Sequence, residues 1–131
     1  MKATARRRSG YIHDVETDSG HTLVIDEPVD EGGEDAGPAP TRTLISSLAA
    51  CTSMTIVMYA ERKGWDVGQI EVEVNGERGD KDKPTRFDIA IRIPEPLDDE
   101  QEKRILVIAG KCPVHRILAG EVEMNDHIEP A

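Results

Sequence analysis

Two cysteines are the residues of this sequence best suited to covalent chemistry. Cys51 follows Leu48-Ala49-Ala50 and precedes Thr52-Ser53-Met54, and Cys112 is followed directly by Pro113. A thiolate attacks electrophilic oxygen or sulfur, and the sulfenic acid it forms with a peroxide condenses with a second thiol to a disulfide. Cys112 has a placement that favours ionisation, because proline suits the first position of a helix, where free amides and the helix dipole stabilise negative charge. Cys51 sits inside an apolar run, and burial as a small hydrophobe explains a cysteine there as readily as redox work does. The two stand 61 residues apart. Only the fold can bring their Cα atoms within the roughly 7 Å that a disulfide needs.

Other chemistries find weaker footing. Cys112 and His115 supply two metal ligands with no second cluster, whereas a closed zinc site takes four, so no metal is expected. His13, His21 and His127 fall in strand-like or terminal stretches and are explained by surface positions. The glycines Gly32, Gly33 and Gly37 are flanked by Glu31, Glu34 and Asp35, whose charge repels a phosphate, and nucleotide binding is discounted. Arg6-Arg7-Arg8 is read as a solvated strand face from which one arginine could turn inward.

The elements that must position the cysteines follow from periodicity and breakers. Thr41 to Lys63 holds no glycine or proline, with Thr41 as a potential cap and Gly64 as the stop, which predicts one helix. Leu44, Leu48, Cys51, Thr55 and Met58 share one face, while Ile45, Ala49, Ala50, Met54, Ile56 and Val57 spread apolar character round the rest, so the helix is expected to be buried on nearly all sides. Tyr11–Val15 and His21–Ile25 read as a hairpin, and the acidic Gly/Pro-rich stretch 26–40 as an ordered loop. Val67–Val74 and Phe87–Ile93 alternate as paired strands. A second helix starts at Asp98 or Asp99, a short one at Pro113, and a last strand is expected at Glu121–Met124 before a frayed tail from 126 to 131.

Composition narrows the class. A chain of 131 residues with 37% hydrophobic and 3% aromatic residues is expected to be one domain with an aliphatic core that gains apolar area from a partner chain. With 16 basic against 26 acidic residues, the net charge of −10 argues against nucleic-acid or anionic-lipid partners. Serines and threonines interrupt the stretch Leu44–Ala60, and no apolar segment follows the basic N-terminus. Neither a membrane anchor nor a signal peptide is therefore expected, and a cytoplasmic location is.

The stretches Gly37–Met54, Met58–Trp65 and Lys111–Arg116, in this order, strongly resemble the OsmC/Ohr family of hydroperoxide-reducing proteins, in particular its short OsmC-like branch, over residues 10 to 125. The resemblance implies an α+β, OsmC-like fold, an intertwined homodimer with central helices wrapped by antiparallel sheets, and no cofactor. It implies that Cys51 attacks an organic hydroperoxide or hydrogen peroxide, that Cys112 resolves the sulfenic acid as a disulfide, and that a thiol reductant such as a lipoyl dithiol resets the pair. Family peroxidases carry a glutamate nine or ten residues before the attacking cysteine, paired with an arginine. Here Arg42 and Thr41 occupy those positions, and no arginine lies between Gly10 and Arg42. Two replacements are expected: Arg42 facing Cys51, held by Glu34 or Asp35 through charge-assisted hydrogen bonds, or a cation from Arg6, Arg7 or Arg8. The departure leaves two other roles open: a small-molecule-binding protein and a redox sensor with little turnover.

Overall fold

The computed structural model describes all 131 residues, as an α+β fold with three α-helices and two antiparallel sheets. Contacts divide the chain into two compact units, Met1–Ser46 and Ser47–Ala131. The long helix α1, Pro40–Lys63, belongs to both.

In the first unit β1 (Ala3–Ser9), β2 (Ile12–Thr17) and β3 (Thr22–Ile25) form a meander in that order. The expected hairpin is β2–β3, with Val15 opposite Leu23, and β1 adds a third strand with Ala5 opposite Val15. The three arginines of β1 are committed locally: Arg6 pairs with Glu16 at 3.2 Å, Arg7 donates to the Gly10 carbonyl at 2.8 Å, and Arg8 grips Asp14 through two nitrogens. Arg6 and Arg8 are ion-paired, whereas Arg7 meets only a neutral carbonyl.

The acidic loop after β3 is ordered, as its composition predicts, around one buried carboxylate. Asp26 is 1% exposed and accepts hydrogen bonds from the backbone amides of Glu27, Glu34 and Ala36 at 2.8, 3.0 and 3.1 Å. Such folding back needs close backbone approach: a Cβ on Gly33 would overlap the Glu27 carbonyl, and one on Gly37 the Val24 carbonyl. Pro40 then takes the first helical position, so Thr41 lies inside the first turn of α1 rather than capping it.

In the second unit β4 (Glu71–Glu77) pairs with β5 (Arg86–Arg92), followed by α2 (Asp99–Ala109) and α3 (Pro113–Ala119). Asp98 starts α2 through a reciprocal capping box with Gln101, at 2.8 and 3.0 Å. The core gathers Ile56 and Ala60 of α1, Val67, and Ile105 and Ala109 of α2. β4 begins later than the alternation from Val67 suggests, because Gly68, at φ +57°, turns the chain and leaves Val67 in the core. The expected strand Glu121–Met124 does not form. Residues 121–131 are exposed and without regular secondary structure, and β4 and β5 pair only with each other.

The expectation that α1 is covered on nearly all sides fails within one chain. Its buried residues, Leu48, Thr52, Ile56, Tyr59 and Ala60, recur at spacings of three and four and make one stripe, while Leu44, Met54 and Met58 are exposed. By length and composition α1 passes for a bilayer span. Its stripe instead contributes Ile56 and Ala60 to the core of the second unit.

Burial alone would raise the pKa of Asp26, but the amides of Ala36, Glu34 and Glu27 outweigh it and hold the carboxyl below its ordinary range. The loop is therefore stabilised above the carboxylate's unfolded pKa, and that contribution disappears as pH falls through the lower folded value. Hydrogen exchange tests this: Asp26→Ala is expected to speed exchange of the Glu34 and Ala36 amides at pH 7 by at least about tenfold.

Candidate active site

The site is built where α2 turns into α3. After α2 ends, the amides of Lys111 and Cys112 donate to the carbonyls of Ile108 and Ala109 at 2.9 and 3.3 Å, so the chain doubles back at once and Cys112 becomes the N-cap of α3. A helix start leaves its first amides unpaired. Here Pro113 has none to offer, the His115 amide donates to Cys112 Sγ at 3.5 Å, and the Arg116 amide to the Cys112 carbonyl at 3.0 Å. The remaining amide, of Val114, lies near the sulfur of Cys51 on α1 and favours its thiolate. One proline-started turn thus serves both sulfurs.

Cys51 also lies beside Cys112, whose sulfur favours the neutral Cys51 thiol, and its third polar neighbour is the hydroxyl of Thr55, one helical turn on. Cys112 is fully buried, Cys51 is partly exposed, and both are free thiols. The structure therefore brings together the two cysteines singled out in the sequence.

The electrostatic balance at Cys51 opposes ionisation. Burial pushes its thiol above the ordinary range and the Cys112 sulfur, acting as acceptor, adds to this, while the Val114 amide and the Thr55 hydroxyl only partly offset them. Thr55 is a residue to which the sequence reading gave a face but no role. The hydroxyls of Thr43, Ser46 and Thr52 on α1 each bond back to the carbonyl four residues earlier, at 3.0, 2.7 and 2.8 Å. Thr55 faces the sulfur of Cys51 instead. Its signal in the sequence is the four-residue spacing, which puts both side chains on one helix face.

Arg42 and Glu34 lie in the other unit. Arg42 is exposed in the first turn of α1, where its carbonyl accepts from Ser46, and Glu34 is exposed in the loop, where its amide serves Asp26. No ion pair joins them, so the expected Arg42–Glu34 pairing is absent: the loop is folded about Asp26, through the backbone of Glu34 rather than its side chain. The alternative cations of β1 are held by Glu16, Gly10 and Asp14.

Residues 32–125 match the family model described as OsmC-like protein. The chain belongs to the OsmC-like protein family. Solved structures agree on the fold. An osmotic stress induced and detoxification response protein from Psychrobacter arcticus superposes with a TM-score of 0.76 and 24% identity, over 88% of this chain and 86% of that one. The OsmC-like protein from Mycoplasma pneumoniae gives 0.75 and 23%, over 91% and 86%. The organic hydroperoxide resistance protein OhrB of Bacillus subtilis gives 0.61 and 22%, over 93% and 92%. No curated protein matches the sequence significantly.

The thiol balance gives a direct test by alkylation with iodoacetamide, followed at Cys51 by peptide mass. The rate is expected to climb steeply only above the ordinary thiol range of about 8.5. Thr55→Val, which removes a donor to the thiolate, should slow the reaction at pH 8 by about fivefold, and Thr55→Ser should restore it.

Proposed function

We propose that this protein is a cysteine-based peroxidase that reduces organic hydroperoxides, and hydrogen peroxide as well, in defence against oxidative stress. The observation that carries the reading is the contact between Cys51 and Cys112 on the first turn of α3. The Cys51 thiolate attacks the terminal oxygen of R–O–O–H, the O–O bond breaks, and the alkoxide leaves and takes a proton to become the alcohol. Cys51 is then a sulfenic acid. The Cys112 thiol attacks its sulfur, water leaves, and a Cys51–Cys112 disulfide remains, which an external dithiol such as a dihydrolipoyl group reduces by two electrons. The Bacillus subtilis neighbour is named an organic hydroperoxide resistance protein.

Two parts of this reading come from outside the thiol pair. Arg42, standing where family peroxidases carry glutamate, is assigned to orienting the peroxide and favouring the thiolate, without Glu34 as its partner. The active form is a homodimer in the cytoplasm, a reducing compartment suited to free thiols. The apolar side chains Met54 and Met58 on α1, 58% and 60% exposed, are the surface a second copy would cover. Sedimentation should give twice the chain mass, and Met54→Glu with Met58→Glu should return it to the single chain.

The raised pKa of Cys51 favours a second reading, a redox-sensing or small-molecule-binding protein with little turnover. Single-turnover oxidation with cumene hydroperoxide separates them. A peroxidase loses two thiols per chain and yields an intramolecular disulfide; Cys51→Ser abolishes peroxide consumption, and Cys112→Ser leaves Cys51 trapped as sulfenic or overoxidised acid. Retention of both thiols in excess peroxide would overturn the enzymatic reading. Unchanged peroxide consumption by Arg42→Ala would remove Arg42 from the mechanism.

A further inference from the structure

Two turns beyond Cys51, α1 ends in a cluster that the thiol chemistry does not use. Tyr59 is 9% exposed, and its hydroxyl accepts a hydrogen bond from Arg104 Nε of α2 at 2.9 Å. Trp65 packs edge-on against it, with ring centroids 5.6 Å apart. The guanidinium carbons of Arg104 and Arg62 stand 5.4 and 6.0 Å from the Tyr59 centroid, and Lys63 Nζ stands at 5.7 Å. Three cations from two helices therefore surround one buried ring.

Five of the sixteen lysines and arginines, Arg6, Arg8, Lys83, Arg86 and Arg92, are ion-paired with carboxylates. The three around Tyr59 are not. Glu61 and Asp66 are near in sequence, and Glu100 lies one turn before Arg104 on α2, yet none of them forms an ion pair with the cluster. Complementing the dipole of α1 accounts for Arg62 and Lys63 in its last turn, but not for Arg104, which comes from another helix. The carbonyls of Ala60 and Glu61 at that end are already taken by the amides of Trp65 and Gly64. Arg104 spends one of its five N–H donors on Tyr59, and no other hydrogen bond engages the rest.

We propose that Arg62, Lys63 and Arg104, gathered round Tyr59, form a binding site for a phosphate dianion, free or carried as a phosphate ester. Guanidinium forks match phosphate oxygens, and a dianion offsets the mutual repulsion of three positive charges better than a carboxylate does. The positive field is already felt by the phenol: the hydrogen bond from Arg104, then the charges of Arg104, Lys63 and Arg62, hold Tyr59 below the ordinary tyrosine range despite its burial.

Trp65 is the chain's single tryptophan and so a built-in reporter. The native protein is titrated, at constant ionic strength, with inorganic phosphate, with glycerol phosphate and with chloride, following Trp65 fluorescence and the phosphorus NMR line width. A saturable response to phosphate and none to chloride is expected, weakened at least about tenfold by Arg104→Gln, with Lys63→Gln as the second variant should Arg104→Gln not fold. Preference for one of the two probes tells free phosphate from the ester. A chloride-like response, or binding that neither variant weakens, overturns the site. Binding of a polyglutamate peptide without any phosphate response also overturns it, in favour of an acidic protein partner.

Discussion

The chemistry of the second unit depends on how one helix start distributes its unpaired amides. A first turn normally leaves several N–H groups without partners inside the helix. In α3 proline removes one of them, the His115 amide is given to the sulfur of Cys112, and the Val114 amide stands near that of Cys51. That arrangement solves two problems at once. The turn's amides find partners, and two thiols from distant parts of the chain are seated near one another. It follows from α2 ending at Ala109, three residues before Cys112.

The same packing sets a cost. Removing Cys51 from water disfavours its charged form, and the adjacent Cys112 sulfur favours the neutral thiol as donor. Two neutral donors, the Val114 amide and the Thr55 hydroxyl, are too weak to reverse this. Burial therefore works against a Cys51 thiolate within one chain, which is why an additional cation and the coverage supplied by a second copy matter for the proposed activity.

The first unit shows the reverse strategy with a charged group. Asp26 is buried, and three backbone amides are the main groups that favour its charged form. Its burial converts an acidic, glycine-rich stretch into a defined loop leading to α1. The surrounding acids remain outside, in solvent, and contribute to the net negative charge rather than to the fold.

Much of this was readable from residues alone. The breaker-free run to Lys63 bounded by Gly64, the alternation of β4 and β5, the Asp98 start of α2 and the Cys112-Pro113 start of α3 are local signals, set by backbone sterics and side-chain period, and all but β4, which starts four residues late, formed close to their expected limits. Tertiary structure decided what depends on partners distant in the chain. The meeting of Cys51 with Cys112, the choice of Asp26 over Glu34 as the loop's anchor, the gathering of Arg62, Lys63 and Arg104 round Tyr59, and the missing strand at Glu121–Met124 each turn on which group lies opposite which. Apolar period told which residues seek cover. How much cover one chain provides is a property of packing, and that left Met54 and Met58 of α1 open where the pattern alone had them buried.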